Sequence, residues 1–317
     1  MRRLIFGTLL LTVVMVFVLP YWALSRQKRP AAVPAAAAEN ASAPDPAAPA
    51  AAQTNFEGDV LPSAQSTDLE TYLVGVVAGE MPASFQPEAL KAQAVAARTY
   101  AVREMAANGG AFPGGQAYAS EAELQQRWGD RYSYWHDRVA SAVADTAGEI
   151  LTYDEEPILA VFSAESAGMT ETAGNVWSTD LPYLQSVDSP GDLTDPAYET
   201  TVRLRGAAVR ASIADAAWTD APVAAQLQIL ERTEAGYVKT IRAAGKDMSG
   251  RAFREALGLR SSHFTLAGDG DDLLVTTQGH GHGAGMSQYG ANAMAAAGST
   301  YREILSHYYP GAVLTKN

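Results

Sequence analysis

Two short segments of this chain concentrate the residue types that do chemistry. The first is Gly279-His280-Gly281-His282-Gly283-Ala284-Gly285-Met286-Ser287-Gln288-Tyr289-Gly290-Ala291. Its glycines lack the Cβ that limits backbone geometry, so the chain can pass very close to something else. The imidazole, hydroxyl and amide groups between them suit a neutral, hydroxyl-rich ligand. The second segment runs from Val76 to Phe85, where Glu80 is the single carboxylate, beside Gly79 and Pro82. A carboxylic acid works as a general acid near neutral pH when apolar surroundings raise its pKa, to about 6 in known cases. Val76, Val77, Met81 and Phe85 would supply such surroundings, which makes Glu80 the candidate acid. A solvated glutamate at a helix end is the bland alternative. The acid and the glycine-rich loop would then form two walls of one cleft.

A third segment, Phe162 to Trp177, leaves an apolar run and becomes small and polar. Ser163, Ser166, Thr170 and Asn175 are candidate hydrogen-bonders for sugar hydroxyls, and Trp177 is a candidate stacking platform. Glu165 and Glu171 are rival acids. The same composition is also ordinary turn chemistry after a strand. His280 and His282 are two apart and share one side of an extended segment. Without a cysteine or an evident third ligand, no zinc site and no other cofactor is expected. Ser166, His282 and Asp188 can be drawn as a hydrolase triad, but no G-x-S-x-G elbow supports it.

The elements that must position these groups are legible in outline. Ser66-Thr67-Asp68 offers caps for a helix to about Ala78, with capping-box spacing from Thr67 to Glu70 and Gly79 as its stop. Pro87 opens a second helix over 87–107, whose alanines permit close packing. The middle reads as mainly β. A hairpin over Ile150–Tyr153 and Ile158–Phe162 turns at 154–157. Further strands are expected at 199–204, 226–232, 237–243, 262–266 and 272–278, with a helix near 250–257. Helices near 286–297 and 300–308 close the chain. Helices at both ends with strands between predict a mixed α+β domain over 66–313.

What precedes that domain is different in kind. Residues 1–3 are a short basic stub, and 4–24 form an apolar run long enough to span a bilayer. A cleaved signal peptide is the rival reading, but the run exceeds a usual signal core, so an uncleaved anchor is expected. Residues 25–65 are rich in Ala and Pro and read as an extended linker. A single-pass membrane protein follows, with its N-terminus cytoplasmic and its domain outside. The chain of 317 residues has no cysteine, and beyond residue 65 it carries 18 basic against 31 acidic residues, a net charge of −13. Such a surface repels phosphate backbones and excludes nucleic acid as a partner. It is no obstacle to a neutral polysaccharide.

Taken in order, these segments resemble the stage II sporulation protein D and amidase-enhancer family. The resemblance rests on Tyr72-Leu73-x-Gly75-Val76-Val77-x-x-Glu80-Met81-Pro82 and on Glu88-Ala89-Leu90-Lys91-Ala92-Gln93-Ala94-Val95-Ala96-Ala97-Arg98-Thr99-Tyr100. It continues through Asn175-Val176-Trp177, the Pro182–Pro190 segment, Gly281–Ala291 and Ile304-Leu305-x-His307-Tyr308-Tyr309. It implies a peptidoglycan lytic transglycosylase of sporulation and engulfment, leaving 1,6-anhydro-muramic ends, with Glu80 as general acid and base. It also implies that Lys91, Gln93, Arg98, Ser166, His282 and Gln288 line the substrate cleft. The implied partners are glycan strands stripped of peptide, a cell-wall amidase and a scaffold membrane protein. The alternative is a non-catalytic glycan-binding or amidase-activating module. One departure stands out: where members carry His-Ser-Thr-Ser-Gly-Gly, this chain reads Ser163-Ala164-Glu165-Ser166-Ala167-Gly168. Some members also carry a cysteine-containing metal loop, which the 108–135 region does not match.

Overall fold

A computed structural model describes residues 67–316. The stub, anchor and linker expected over 1–65 lie outside the described residues. No helix among the described residues is long and apolar enough to cross a membrane.

Helix α1 spans Leu69–Glu80 and α2 spans Pro87–Ala107. The cap of α1 is Asp68, whose Oδ1 accepts from the Thr71 N–H at 3.0 Å. The expected Thr67–Glu70 box does not form, because Glu70 is drawn to Arg98 at 2.7 Å. Gly79 does not stop the helix either. It lies inside the last turn, where a Cβ would sit 3.1 Å from the Ala117 carbonyl oxygen, so this glycine admits the 117–119 backbone. Two helices follow in a stretch to which the sequence reading assigned no element: α3, Glu121–Trp128, with a Ser120/Glu123 capping box, and α4, Tyr132–Asp145. Leu124, Trp128, Trp135, Val139 and Val143 are buried at helical spacing along them.

Strand β1, Glu149–Tyr153, pairs with the two-residue β2, Glu156–Pro157. Asp154 and Glu155 both have positive φ (50° and 70°), as a tight two-residue hairpin turn requires. The hairpin partner is therefore 156–157, not 158–162. The chain then passes through β3, Phe162–Ser163, and the short helix α5, Ala173–Trp177.

Residues 199–278 build a second lobe: β4 (Glu199–Leu204), α6 (Gly206–Ser212), β5 (Leu227–Arg232), β6 (Val238–Ala243), β7 (Lys246–Ser249), α7 (Gly250–Leu257), β8 (Phe264–Asp269) and β9 (Asp272–Gln278). They form two antiparallel three-stranded sheets, β4-β9-β8 and β5-β6-β7. Val209, Ile241, Phe253, Phe264 and Leu273 form a core separate from that of the helical part. The chain returns through β10, Met286–Ser287, which pairs in parallel with β3. Helices α8 (Gln288–Ala296) and α9 (Tyr301–Tyr308) pack on α2, and β11, Val313–Lys316, adds an antiparallel edge to β1. The result is a mixed α+β architecture. Its first core combines α1, α2 and α4 with the closing helices.

Candidate active site

Glu80 is the last residue of α1, and its apolar neighbours are in place. Val76, Val77 and Met81 are wholly buried, and Phe85 nearly so. The 112–119 segment covers the carboxyl from the other side. There the Ala117 N–H donates to Glu80 Oε1 at 2.6 Å. Burial raises the Glu80 pKa from its ordinary 4.5 to about 7, against the opposing pull of that single hydrogen bond. The phenol of Tyr72 is pushed up by burial first and then by the nearby Glu80 charge, and that of Tyr100 by burial, then Glu104, then Glu80. The group can therefore exist in both protonation states near neutral pH.

The glycine-rich loop is explained by packing. Gly279, Gly281, Gly283 and Gly285 all have positive φ, from 71° to 114°. A Cβ on them would run into the Ser166 carbonyl, the Ser163 side chain, the Tyr237 hydroxyl and the Val161 carbonyl, respectively. What the loop approaches closely is the protein's own 161–167 segment and Tyr237. The described partners of Glu80 do not include this loop. The two segments meet instead through Phe85 and Tyr289, edge to face at 5.0 Å.

Of the expected cleft residues, Gln93 and Gln288 do come together. Gln288 Nε2 donates to Gln93 Oε1 at 3.3 Å, and both are buried. Arg98 does not face a cleft. It is 1% exposed, and its guanidinium donates to both oxygens of Glu70, to the carbonyls of Val143 and Glu149, and to Thr146 Oγ1. With five donors spent, it ties α1, α2, α4 and β1 together and keeps none for a glycan. Lys91 is paired with Glu88 and Asp145, both at 3.1 Å, on the wall of a cavity of about 350 Å³ that Glu80 does not line.

Ser166 is fully buried and serves Asp192, to which it gives its N–H at 2.9 Å and its hydroxyl at 2.5 Å. Ser287 donates to the other oxygen of Asp192 at 2.5 Å. Asp192 is thus a buried hub that clamps the 163–168 and 286–291 segments, and the sequence reading missed it. Ser166 and Ser287 were its signal in those two segments.

His282 is likewise committed. Its Nδ1 accepts from the Ala284 N–H at 3.1 Å, its ring bonds to the Phe162 backbone, and it packs on Trp177 at 5.0 Å. Burial first, and then Arg254 and Arg251, hold its pKa at about 4. The drawn triad also fails: Ser166 bonds to Asp192, not to His282, and Asp188 offers its carbonyl to His307 at 2.7 Å.

The rival acids behave differently from Glu80. Glu165 is 2% exposed, and burial, with a hydrogen bond to Asp195, raises its pKa to about 9. Glu171 is 3% exposed; its Oε1 accepts from the Thr172 N–H at 2.7 Å and from Asn175 Nδ2 at 2.8 Å. Among the described residues no group of three or more His, Asp or Glu is placed to hold a metal ion.

Residues 58–153 match the SpoIID family model, described as stage II sporulation protein. Over 264 residues the chain is 39% identical to stage II sporulation protein D of Bacillus subtilis (strain 168), covering 80% of this chain and 76% of that relative. The chain belongs to the stage II sporulation protein D family. The corresponding protein of Bacillus amyloliquefaciens is 38% identical over the same shares. An amidase enhancer of Bacillus subtilis (strain 168) is 31% identical over 296 residues, which is 77% of this chain and 40% of that longer protein. Within this SpoIID-family chain, the stretch matched by the family model contains Glu80, the residues that bury it and the 112–119 cover.

Proposed function

We propose that this SpoIID-family protein cleaves peptidoglycan glycan strands as a lytic transglycosylase, with Glu80 as its single acid and base. The observation that carries this reading is the carboxyl whose pKa stands at about 7. Such a group is protonated often enough to donate and ionised often enough to accept. Protonated Glu80 gives its proton to the glycosidic oxygen as the bond from that oxygen to C1 breaks. The resulting carboxylate takes the proton of the muramic 6-hydroxyl while O6 bonds to C1. No water is consumed, and the product is a 1,6-anhydro end. Glu165, at about 9, stays protonated at neutral pH and is a poor base for the second half. The proposed setting is the outer face of the membrane, with the 4–24 run as anchor and a peptide-stripping amidase and a scaffold membrane protein as partners.

A second reading, a glycan-binding module that activates an amidase, is favoured by the likeness to the amidase enhancer. Mass spectrometry of peptide-stripped glycan incubated with the protein separates the two. Ends one water lighter than hydrolytic ends, reduced by at least about a hundredfold in Glu80→Gln, support the transglycosylase. Glycan bound but uncut by the unaltered protein overturns it.

A further inference from the structure

A cavity of about 130 Å³ lies between the two cores, and Glu80 is not among the residues that line it. Its wall from the first lobe carries Glu171, Asn175 and His282, and its wall from the second carries Lys239, Arg251 and Arg254. Its formal charges are therefore one acid against three bases, in a chain whose net charge is −12. The carboxylate is the unusual member. Glu171 Oε1 is held by Thr172 and Asn175, while Oε2 is buried without a hydrogen-bond partner. A buried carboxylate oxygen left unsatisfied is costly, and a ligand that donates to it removes the cost.

We propose that this cavity binds the amino-acid group, an N–H donor beside a carboxylate, as found in a free amino acid or at a peptide's carboxyl terminus. The ligand nitrogen donates to Glu171 Oε2, and its carboxylate lies toward the cations of the second lobe. Two features of the site discriminate among polar ligands. A fully ionised anion such as sulfate meets the cations but faces the Glu171 charge with nothing to donate. A neutral sugar satisfies Glu171 but offers the cations no carboxylate. Arg251 and Lys239 are about half exposed and paired with Glu255 and Glu231, at 2.7 and 2.8 Å. Exposed pairs of this kind are weak and exchange partners readily, so the cations remain available to an incoming carboxylate. His282, held neutral and hydrogen-bonded, adds shape without charge. The site is independent of the reaction proposed for Glu80, and one can fail without the other.

The test is a calorimetric titration of the protein with both enantiomers of alanine, N-acetyl-alanine, alaninamide and inorganic sulfate. Alanine or N-acetyl-alanine binds with Kd of about 1 mM or tighter, and alaninamide and sulfate bind at least about tenfold more weakly. N-acetyl-alanine matching alanine identifies a peptide terminus as the source, and alanine alone identifies the free amino acid. Glu171→Gln weakens binding at least about tenfold, since its amide would present a donor where the ligand needs an acceptor. Arg251→Gln, at an exposed position that does not threaten folding, weakens it as well. Glu80→Gln binds like the unaltered protein. Absence of saturable binding by either alanine or N-acetyl-alanine overturns the assignment. So does sulfate binding as tightly as they do, or an Arg251→Gln variant that binds unchanged.

Discussion

A carboxyl group that titrates near pH 7 in the folded chain couples stability to pH as well as serving catalysis. The pKa of Glu80 rises on folding from 4.5 to about 7. The folded state therefore holds its proton more tightly than the unfolded state does. That contribution is fully present below about pH 4.5 and is lost as pH rises through about 7, amounting to about 3 kcal/mol. Glu80→Gln keeps an oxygen for the Ala117 N–H and has no charge to bury. In urea titrations the variant should gain about 3 kcal/mol over the unaltered protein between about pH 4 and about pH 8. Parallel stability profiles would show that the carboxyl is not shielded as described. The apolar surroundings of Glu80 were legible in the sequence because its apolar neighbours are close to it along one helix and its turn. Arg98, Ser166 and His282 were not, because residue type does not say which way a side chain points. Each turned out to satisfy a buried partner inside the fold.

Glycine reports on elements, and here it carries two meanings that the sequence alone does not separate. Gly285 has φ 71° and lies against the Val161 carbonyl, whereas Gly110 has φ 88° and open space around it. Alanine at 110 meets only the left-handed backbone penalty, about 1–2 kcal/mol. Alanine at 285 meets that penalty and also forces β10 away from β3, so a loss above about 3 kcal/mol is expected. Denaturant unfolding of the two variants checks the difference, and equal losses would mean that β3 and β10 are not held as tightly as their pairing indicates. Regular elements with strong local signals were readable: α2 from Pro87, α7 over 250–257 and β4 over 199–204 all stand where periodicity put them. The miss at α3 and α4 has a physical cause. Their polar faces are long, and the apolar positions emerge only when Leu124 to Val143 is read as one helical register broken by Gly129. The short strands β3 and β10 carry no periodicity at two residues each and exist only because they pair with one another.

At the scale of the whole molecule, the second lobe is an insertion with its ends side by side. Glu199 and Gln278 pair at the base of the β4–β9 ladder, and the Gly279 N–H donates to the Tyr198 carbonyl at 2.9 Å. Between those ends the chain closes its own apolar core around Phe253, Phe264 and Leu273, all fully or almost fully buried. A region that leaves and rejoins the fold at one place, with a separate core, has the attributes of a cooperative unit able to open by itself. Leu273→Ala removes a wholly buried side chain from that core and should cost about 2–5 kcal/mol. If the lobe is such a unit, the cost falls on it alone. Amide exchange in β6, β8 and β9 should then accelerate by about thirtyfold or more, while the amides of α2, which belong to the other core, keep their rates. Equal acceleration in α2 would show that the two cores unfold together, joined by the contacts that Tyr237 makes with Ala167 and Met169. The separate-unit outcome would leave Glu80 and its cover intact in the opened state. The cavity lined by Glu171 and Arg254 would come apart, because its two walls belong to different cores. Amino-acid ligands of that cavity should then slow exchange in the second lobe, whereas anything bound at Glu80 should not.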